Sequence, residues 1–192
     1  MAIVRKEEII DSWSVLIGNG QGKAEEIFNK TDGFIDKSGA PNVKRERKEL
    51  SPGIIRGLFG TRRDFLVITE KGNPRLKRFQ MFIGARDYGH NLDVSWYLMY
   101  RPGFWKKLLA VLLMVPVLNW LVMPFVLIGG LTTMARERRG GLDLDLFDEQ
   151  DLRAYVTNAH HCLLAAVEKL MVDLNQDPSK IERRSRGFLG IS

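Results

Sequence analysis

From residue 64 the chain alternates with period two. "DFLVITE" (64–70) is β-branched and apolar, and "KGNP" (71–74) carries turn residues. "LKRFQMFIGA" (76–85) sets Phe79, Met81, Ile83 and Ala85 on one side, with Phe82 opposing. "ARDYGHN" turns again, and "LDVSWYLMY" (92–100) alternates Leu92, Val94, Trp96, Leu98 and Tyr100 with Asp93, Ser95, Tyr97 and Met99. Three such strands joined by short turns predict an antiparallel meander with one face needing cover. Upstream, "NVKRERKEL" is charged on both faces, which suits only an exposed edge strand.

Helical spacing brackets the meander. Ile10, Trp13 and Ile17, followed by Gly18, predict a first helix over 4–17. Ala24, Ile27, Phe28, Thr31 and Ile35 share one face of a second helix from Lys23 to about Lys37. Gly33 weakens that helix by about 1 kcal/mol relative to Ala. "SGAPN" breaks the chain, and in "SPGIIRGLFG" Ser51 and Pro52 can start a short helical turn. "GGLDLDLF" alternates Leu142, Leu144 and Leu146 with Asp143 and Asp145, a short strand by period. Asp148 can then cap a long helix, with Asp151 at N3 and a Phe147–Leu152 staple. Glu149 and Asp151 suit the positive end of its dipole. Its apolar stripe comprises Leu152, Val156, Ala159, Leu163, Val167, Leu170 and Leu174. Asp177-Pro178 ends it, and "KIERRSRGFLGIS" reads as a loose basic tail.

Between meander and long helix lies "LLAVLLMVPVLNWLVMPFVLIGGL" (108–131), with no charged residue. As one helix its 24 residues would reach about 36 Å, against about 30 Å of hydrocarbon. Three features oppose a single crossing. Pro116 and Pro124 interrupt the run, and Gly129-Gly130 loosen its end. Arg101, Lys106 and Lys107 before it balance Arg136, Arg138 and Arg139 after it, so the positive-inside rule favours both ends on the cytoplasmic side. Third, residues 136–192 hold one helix and one short strand, too little to close a core unaided. The face they need is on the meander, so the chain is expected to leave and return. Each arm, 104–116 and 118–131, is about 20 Å long as a helix, too short to traverse. A single span with an oligomeric exterior and a hairpin buried in a soluble core are the competing readings.

Charge sharpens this picture. Of the net +6, residues 1–107 carry 20 Lys+Arg against 13 Asp+Glu, residues 108–135 none, and residues 136–192 carry 9 against 10. The basic excess points the N-terminal part toward phosphates, on lipid headgroups or nucleic acid. Four basic clusters stand out: Lys44-Arg45-Arg47-Lys48, Arg62-Arg63, Arg75-Lys77-Arg78 and Arg136-Arg138-Arg139. Singly each reads as a solvated face; beside an apolar anchor they make a second membrane signal. Phe104, Trp105 and Trp120 suit the headgroup boundary, and Asn119 in the bend needs a polar partner. No RNA-type aromatic motif or helix-turn-helix signature appears, so nucleic acid is not the expected partner. The opening "MAIVRKEEIIDSW" lacks a signal-peptide pattern, Ala2 excludes myristoylation, and "GFLGIS" is no prenylation box.

The chemical motifs are weak. "GNGQGK" (18–23) is glycine-rich before a helix, so Gly18, Gly20, Gly22 and Lys23 form a possible anion loop. It fails the P-loop template, because Gly18 and Gly22 have three residues between them and Ala24 follows Lys23; it also fails the dinucleotide fingerprint, because Lys23 takes the third glycine's place. His160 and His161 are neighbours and cannot share a helix face, and Cys162 sits at the rim of the apolar stripe, so "HHC" reads as packing. His90 is alone in a turn. Asp143 and Asp145 could hold a hard cation but suit a strand's wet side, while Asp148 and Asp151 suit a cap. One cysteine excludes an internal disulfide and gives no metal spacing. We read no catalytic, cofactor or metal residues.

The sequence thus predicts an α+β fold: an antiparallel sheet of four to five strands covered by N-terminal helices and a long C-terminal amphipathic helix, with an inserted apolar membrane hairpin. Its parts are residues 1–103 (helices and sheet), 104–135 (membrane-inserting segment), 136–177 (returning strand and helix) and 178–192 (flexible basic tail). The expected function is a membrane-anchored, non-enzymatic binding or scaffold module at the cytoplasmic membrane face. Phe104, Trp105, Lys106, Lys107, Trp120, Arg136, Arg138 and Arg139 would contact anionic lipid, with an unidentified protein partner and scope for a homo-oligomer. Two alternatives are an enzyme acting on lipid or nucleotide phosphates through the "GNGQGK" loop, and an oligomeric pore or secretion component.

Overall fold

The computed structural model describes residues 9–50, 63–100 and 144–191. The chain divides into two compact units, Met1–Arg101 with Gln150–Ser192, and Pro102–Glu149. In the first unit, five antiparallel strands form one sheet: β1 (Ile9–Ile17), β2 (Val43–Leu50), β3 (Arg63–Glu70), β4 (Phe79–Tyr88) and β5 (Asn91–Tyr100), in spatial order β1-β5-β4-β3-β2. Among the described residues two α-helices accompany it, α1 (Ala24–Lys37) and α2 (Leu146–Asp173). The α+β class, the antiparallel meander and the long C-terminal helix agree with the sequence pattern. The 104–135 segment lies outside the described residues, as does the helical turn expected at 51–60.

The meander keeps its predicted register, with Met81 opposite Leu98 and Ile83 opposite Trp96. Leu66, Ile68, Phe79, Met81, Ile83, Val94, Trp96 and Leu98 are buried on the helix-bearing face. Tyr155 of α2 docks there, its hydroxyl donating to the Ile68 carbonyl at 2.6 Å. Burial holds that hydroxyl above the usual tyrosine range. Tyr155→Phe is expected to cost about 1–2 kcal/mol of unfolding free energy, read by denaturant titration. The opposite face is also apolar, with Leu50, Val67, Phe82 and Met99 buried and Ile9, Phe65 and Tyr97 partly so. Gly84 lies beneath Phe65 there, since a Cβ at Gly84 would come within 2.9 Å of the ring.

Helix α1 buries Ile27, Phe28, Thr31 and Ile35, as its periodicity implied. It is joined to β2, the sheet's edge strand, by Arg45, which reaches Asp36 at 2.8 Å, and by Arg47, which stacks over Phe28 at 3.8 Å and pairs with Glu25. It meets α2 through Lys30, which bonds Glu26 at 2.6 Å and Asp173 at 3.0 Å.

Four expectations are corrected. Residues 9–17 are strand β1, not part of a helix. Trp13 and Ile17 satisfy both periods, but β5 offers an unpaired edge, and Trp13 pairs opposite Trp96 there. The expected strand at 142–146 is absent among the described residues 144–146, where α2 begins at Leu146. The helix cap therefore lies one turn earlier than the acidic run suggested. Asp145 Oδ1 accepts from the Asp148 backbone N–H at 2.9 Å, and Asp148 reaches back to the Asp145 N–H at 3.4 Å, a reciprocal capping box. Phe147 is 74 % exposed and staples nothing. Finally, residues 181–191 are no loose tail: Ile181, Ser185, Leu189 and Ile191 are buried. Arg186 N–H donates to the Ser12 carbonyl (2.8 Å) and Phe188 N–H to the Ile10 carbonyl (3.2 Å), so this strap runs antiparallel along the outer edge of β1.

Candidate functional site

Among the described residues, the most elaborate buried polar arrangement surrounds His160, on the sheet-facing side of α2 and fully buried. Trp96 Nε1–H on β5 donates to His160 Nδ1 at 2.8 Å. The other ring nitrogen faces the Arg183 carbonyl of the strap at 2.8 Å, so the proton sits on Nε2. Trp13 and Trp96 meet the imidazole edge-on at 5.4 and 5.6 Å. Trp13 in turn donates to the Glu182 carbonyl at 2.5 Å. Burial pushes the His160 pKa down and keeps the ring neutral. Both nitrogens are engaged, so the group ties four elements together rather than offering a base or a metal ligand. His161 faces solvent, and Cys162 is buried with its thiol pushed up by burial. Of "HHC", His160 and Cys162 are thus buried in the packing and His161 is not, and the Trp–His–Trp cluster itself has no local sequence signal.

Beside it, Asp11 is buried at an irregularity in β1, where the register shifts between Ile9 and Asp11. Its carboxylate accepts from Ser12 N–H (2.7 Å), Ser185 Oγ (3.1 Å) and Leu189 N–H (3.0 Å). The strap is therefore held by a charge-assisted latch as well as by its apolar side chains.

The "GNGQGK" loop connects β1 to α1. Gly20 passes so close to β5 that a Cβ would meet Leu92 Cβ at 2.8 Å, and Gly22 has φ +79°. Gly22 N–H donates to both carboxylate oxygens of Asp87, at 3.0 and 3.1 Å. Gln21 N–H reaches the His90 carbonyl, Lys23 N–H the Gly20 carbonyl, and the Gly18 carbonyl accepts from the Gln176 side chain. The Lys23 ammonium pairs with Glu26 at 3.1 Å. Glu26, hydrogen-bonded by Lys30 and Lys23, titrates below the usual carboxylate range. The loop brings Gly18, Gly20, Gly22 and Lys23 together, with a carboxylate of the protein where an external anion would sit.

Asp145 is committed to the α2 cap, and among the described residues no cluster of three or more His, Cys, Asp or Glu could hold a metal. The basic clusters part company. Arg45 and Arg47 are paired on α1, and Lys44 and Lys48 flank Glu46. Lys71, Arg75, Lys77 and Arg78 are exposed on the β3–β4 connection. Phe104, Trp105, Lys106, Lys107, Trp120, Arg136, Arg138 and Arg139 lie outside the described residues, as do Asn119 and Asp143. No helix among the described residues is long and apolar enough to cross a membrane. No family model, curated protein or solved structure matches this chain.

Proposed function

We propose that the protein is a membrane-anchored binding or scaffold module, seated at the cytoplasmic membrane face by the apolar segment between β5 and α2. The carrying observation is that β5, ending at Tyr100, and α2 from Gln150 onward belong to one compact unit. Trp96–His160 and Tyr155–Ile68 stitch the sheet to the helix that follows the run. One folded unit cannot straddle a bilayer, so a 108–131 segment that enters lipid must come back to the side it left. The balanced basic flanks support the same geometry. In this reading Lys106, Lys107, Arg136, Arg138 and Arg139 bind anionic headgroups, with Phe104, Trp105 and Trp120 at the boundary.

The test is membrane fractionation with thiol accessibility in intact cells, on a Cys162→Ala background. Gly103→Cys and Gly141→Cys should both pellet with membranes and label from the same side. Labelling from opposite sides would refute the anchor.

A second reading, in which the run folds into a water-soluble core, draws on the apolar face formed by Val67, Phe82 and Met99. Recovery of the protein in the soluble fraction selects it and overturns the first. The phosphate-enzyme alternative needs Asp87 displaced from Gly22; it predicts that Lys23→Ala abolishes binding of inorganic phosphate without altering thermal stability.

A further inference from the structure

Of the basic clusters in the sequence, the fold puts the one on the β3–β4 connection next to the strand end from which the chain leaves toward the apolar run, while Lys44 on the edge strand β2 reaches the same end of the sheet opposite Thr69. β5 finishes at Tyr100, paired with Phe79 at the start of β4, their rings 5.1 Å apart. The helical turn Leu76–Arg78 immediately precedes Phe79, so Lys71, Arg75, Lys77 and Arg78 share this end with the exit at Tyr100. Phe188, 63 % exposed, is carried toward the same end by the strap, which runs antiparallel to β1.

The connection is built to hold its cations outward. Glu70, the acidic residue at its base, turns its carboxylate onto the backbone N–H groups of Gly72 (2.6 Å) and Asn73 (2.9 Å). Asn73 Oδ1 accepts from Arg75 N–H, Lys71 N–H bonds the Asn42 carbonyl, and buried Leu76 pins the turn. No described residue forms an ion pair with Lys71, Lys77 or Arg78. By contrast, Lys44, Arg45, Arg47 and Lys48 on β2, and Arg86 on β4, have carboxylate partners. Exposed cations that no described residue neutralises, next to the strand end at Tyr100, fit a surface of closely spaced negative charge lying across that end of the sheet.

We infer that the β3–β4 connection, through Lys71, Lys77 and Arg78, is a docking surface for an anionic lipid bilayer. This rests on the anchor reading above: the apolar run supplies depth, and these cations set the tilt and the preference for acidic headgroups. The surface differs from the flanks of the run itself, being separated from Lys106 in sequence and joined to that end only by the fold.

The experiment uses the full chain, diluted from detergent onto phosphatidylcholine vesicles with or without phosphatidylserine and recovered by flotation. Wild type is expected to partition onto both and more strongly onto the acidic ones. Lys77→Gln/Arg78→Gln should bind neutral vesicles as wild type does and acidic vesicles about thirtyfold more weakly, at roughly 1 kcal/mol per cation. Lys48→Gln, on a cation already paired with Glu46 and set away from that end opposite Phe65, should leave both unchanged. If the Lys77/Arg78 variant keeps the full acidic preference, the inference fails while the anchor stands. If wild type floats with neither vesicle, the anchor reading fails with it. Loss of binding to a labelled nucleic-acid duplex, with vesicle binding intact, would overturn the inference in favour of a nucleic-acid surface.

Discussion

His160→Ala is expected to lower the unfolding free energy by about 3–5 kcal/mol, among the largest effects of any single change in this chain. The loss has two parts. Removing a fully buried ring leaves a cavity between α2 and the sheet. It also orphans the Trp96 indole N–H and the Arg183 carbonyl, both of which spend their hydrogen bonds on the imidazole. The same geometry gives a pH dependence of definite sign. Burial lowers the folded-state pKa of His160 below its ordinary 6.5. As pH falls, the unfolded chain therefore takes up the proton first. The contribution is fully present above about pH 6.5 and declines as pH drops from there toward the depressed folded value. Protonation would put an N–H on Nδ1, facing the Trp96 N–H donor. The charged groups around it do not cancel this penalty: Asp11 on β1 favours the imidazolium, His161 on α2 opposes it, and the Arg183 guanidinium of the strap is engaged by Glu168 at 2.8 Å. Denaturant titrations between about pH 7 and pH 5 should show this decline in wild type and a flatter profile in His160→Gln. An equal slope in both proteins would remove His160 as its source.

Gly187→Ala is expected to detach the strap from β1 at a cost of about 1–3 kcal/mol. A Cβ at Gly187 would lie 2.5 Å from Asp11 Cα and 2.6 Å from both Asp11 Oδ1 and the Ile10 carbonyl oxygen. Two of those atoms are backbone of β1, held against β5, so the strap must yield. Its departure would uncover Ile181, Leu189 and Ile191 and strip Asp11 of the Ser185 and Leu189 donors. Limited proteolysis is the direct measurement. Cleavage within 181–191 should appear in Gly187→Ala under conditions where wild type is intact, together with a lower melting temperature. Wild-type resistance in the variant would show that the close approach is relieved some other way.

Glycine's role at 187 illustrates why part of this molecule was hidden from the sequence. "RRSRGFLGIS" contains nothing that a solvated basic tail would not; its apolar residues acquire a purpose only once β1 presents an edge and Asp11 a buried carboxylate. Residues 9–17 depart from helical expectation for the same reason. Over nine residues, Trp13 and Ile17 fit a helix and a strand equally well, and pairing with β5 made the choice. At the start of α2 the composition was informative but the phase was not: the acidic run signals a helix N-terminus, yet Asp145 and Asp148 form the reciprocal box one turn before the expected one.

The meander was legible because its information is local. Alternation fixes which side chains share a face, and the short turns fix which strands meet, so Met81 opposite Leu98 needs no distant partner to specify it. The stripe on α2 and the charge-free run at 108–131 were equally plain, since each is a property of consecutive residues. Long-range choices needed the fold. Trp13, Trp96 and His160 meet across gaps of 64 residues or more, and an identical set of residues in another topology would be unrelated. Which basic cluster stands next to the end of β5 is likewise set by strand order: Tyr100 ends opposite Phe79, which directly follows Lys77 and Arg78. Periodicity is written residue by residue, whereas ion pairing and burial depend on what the folded chain brings within a few ångströms.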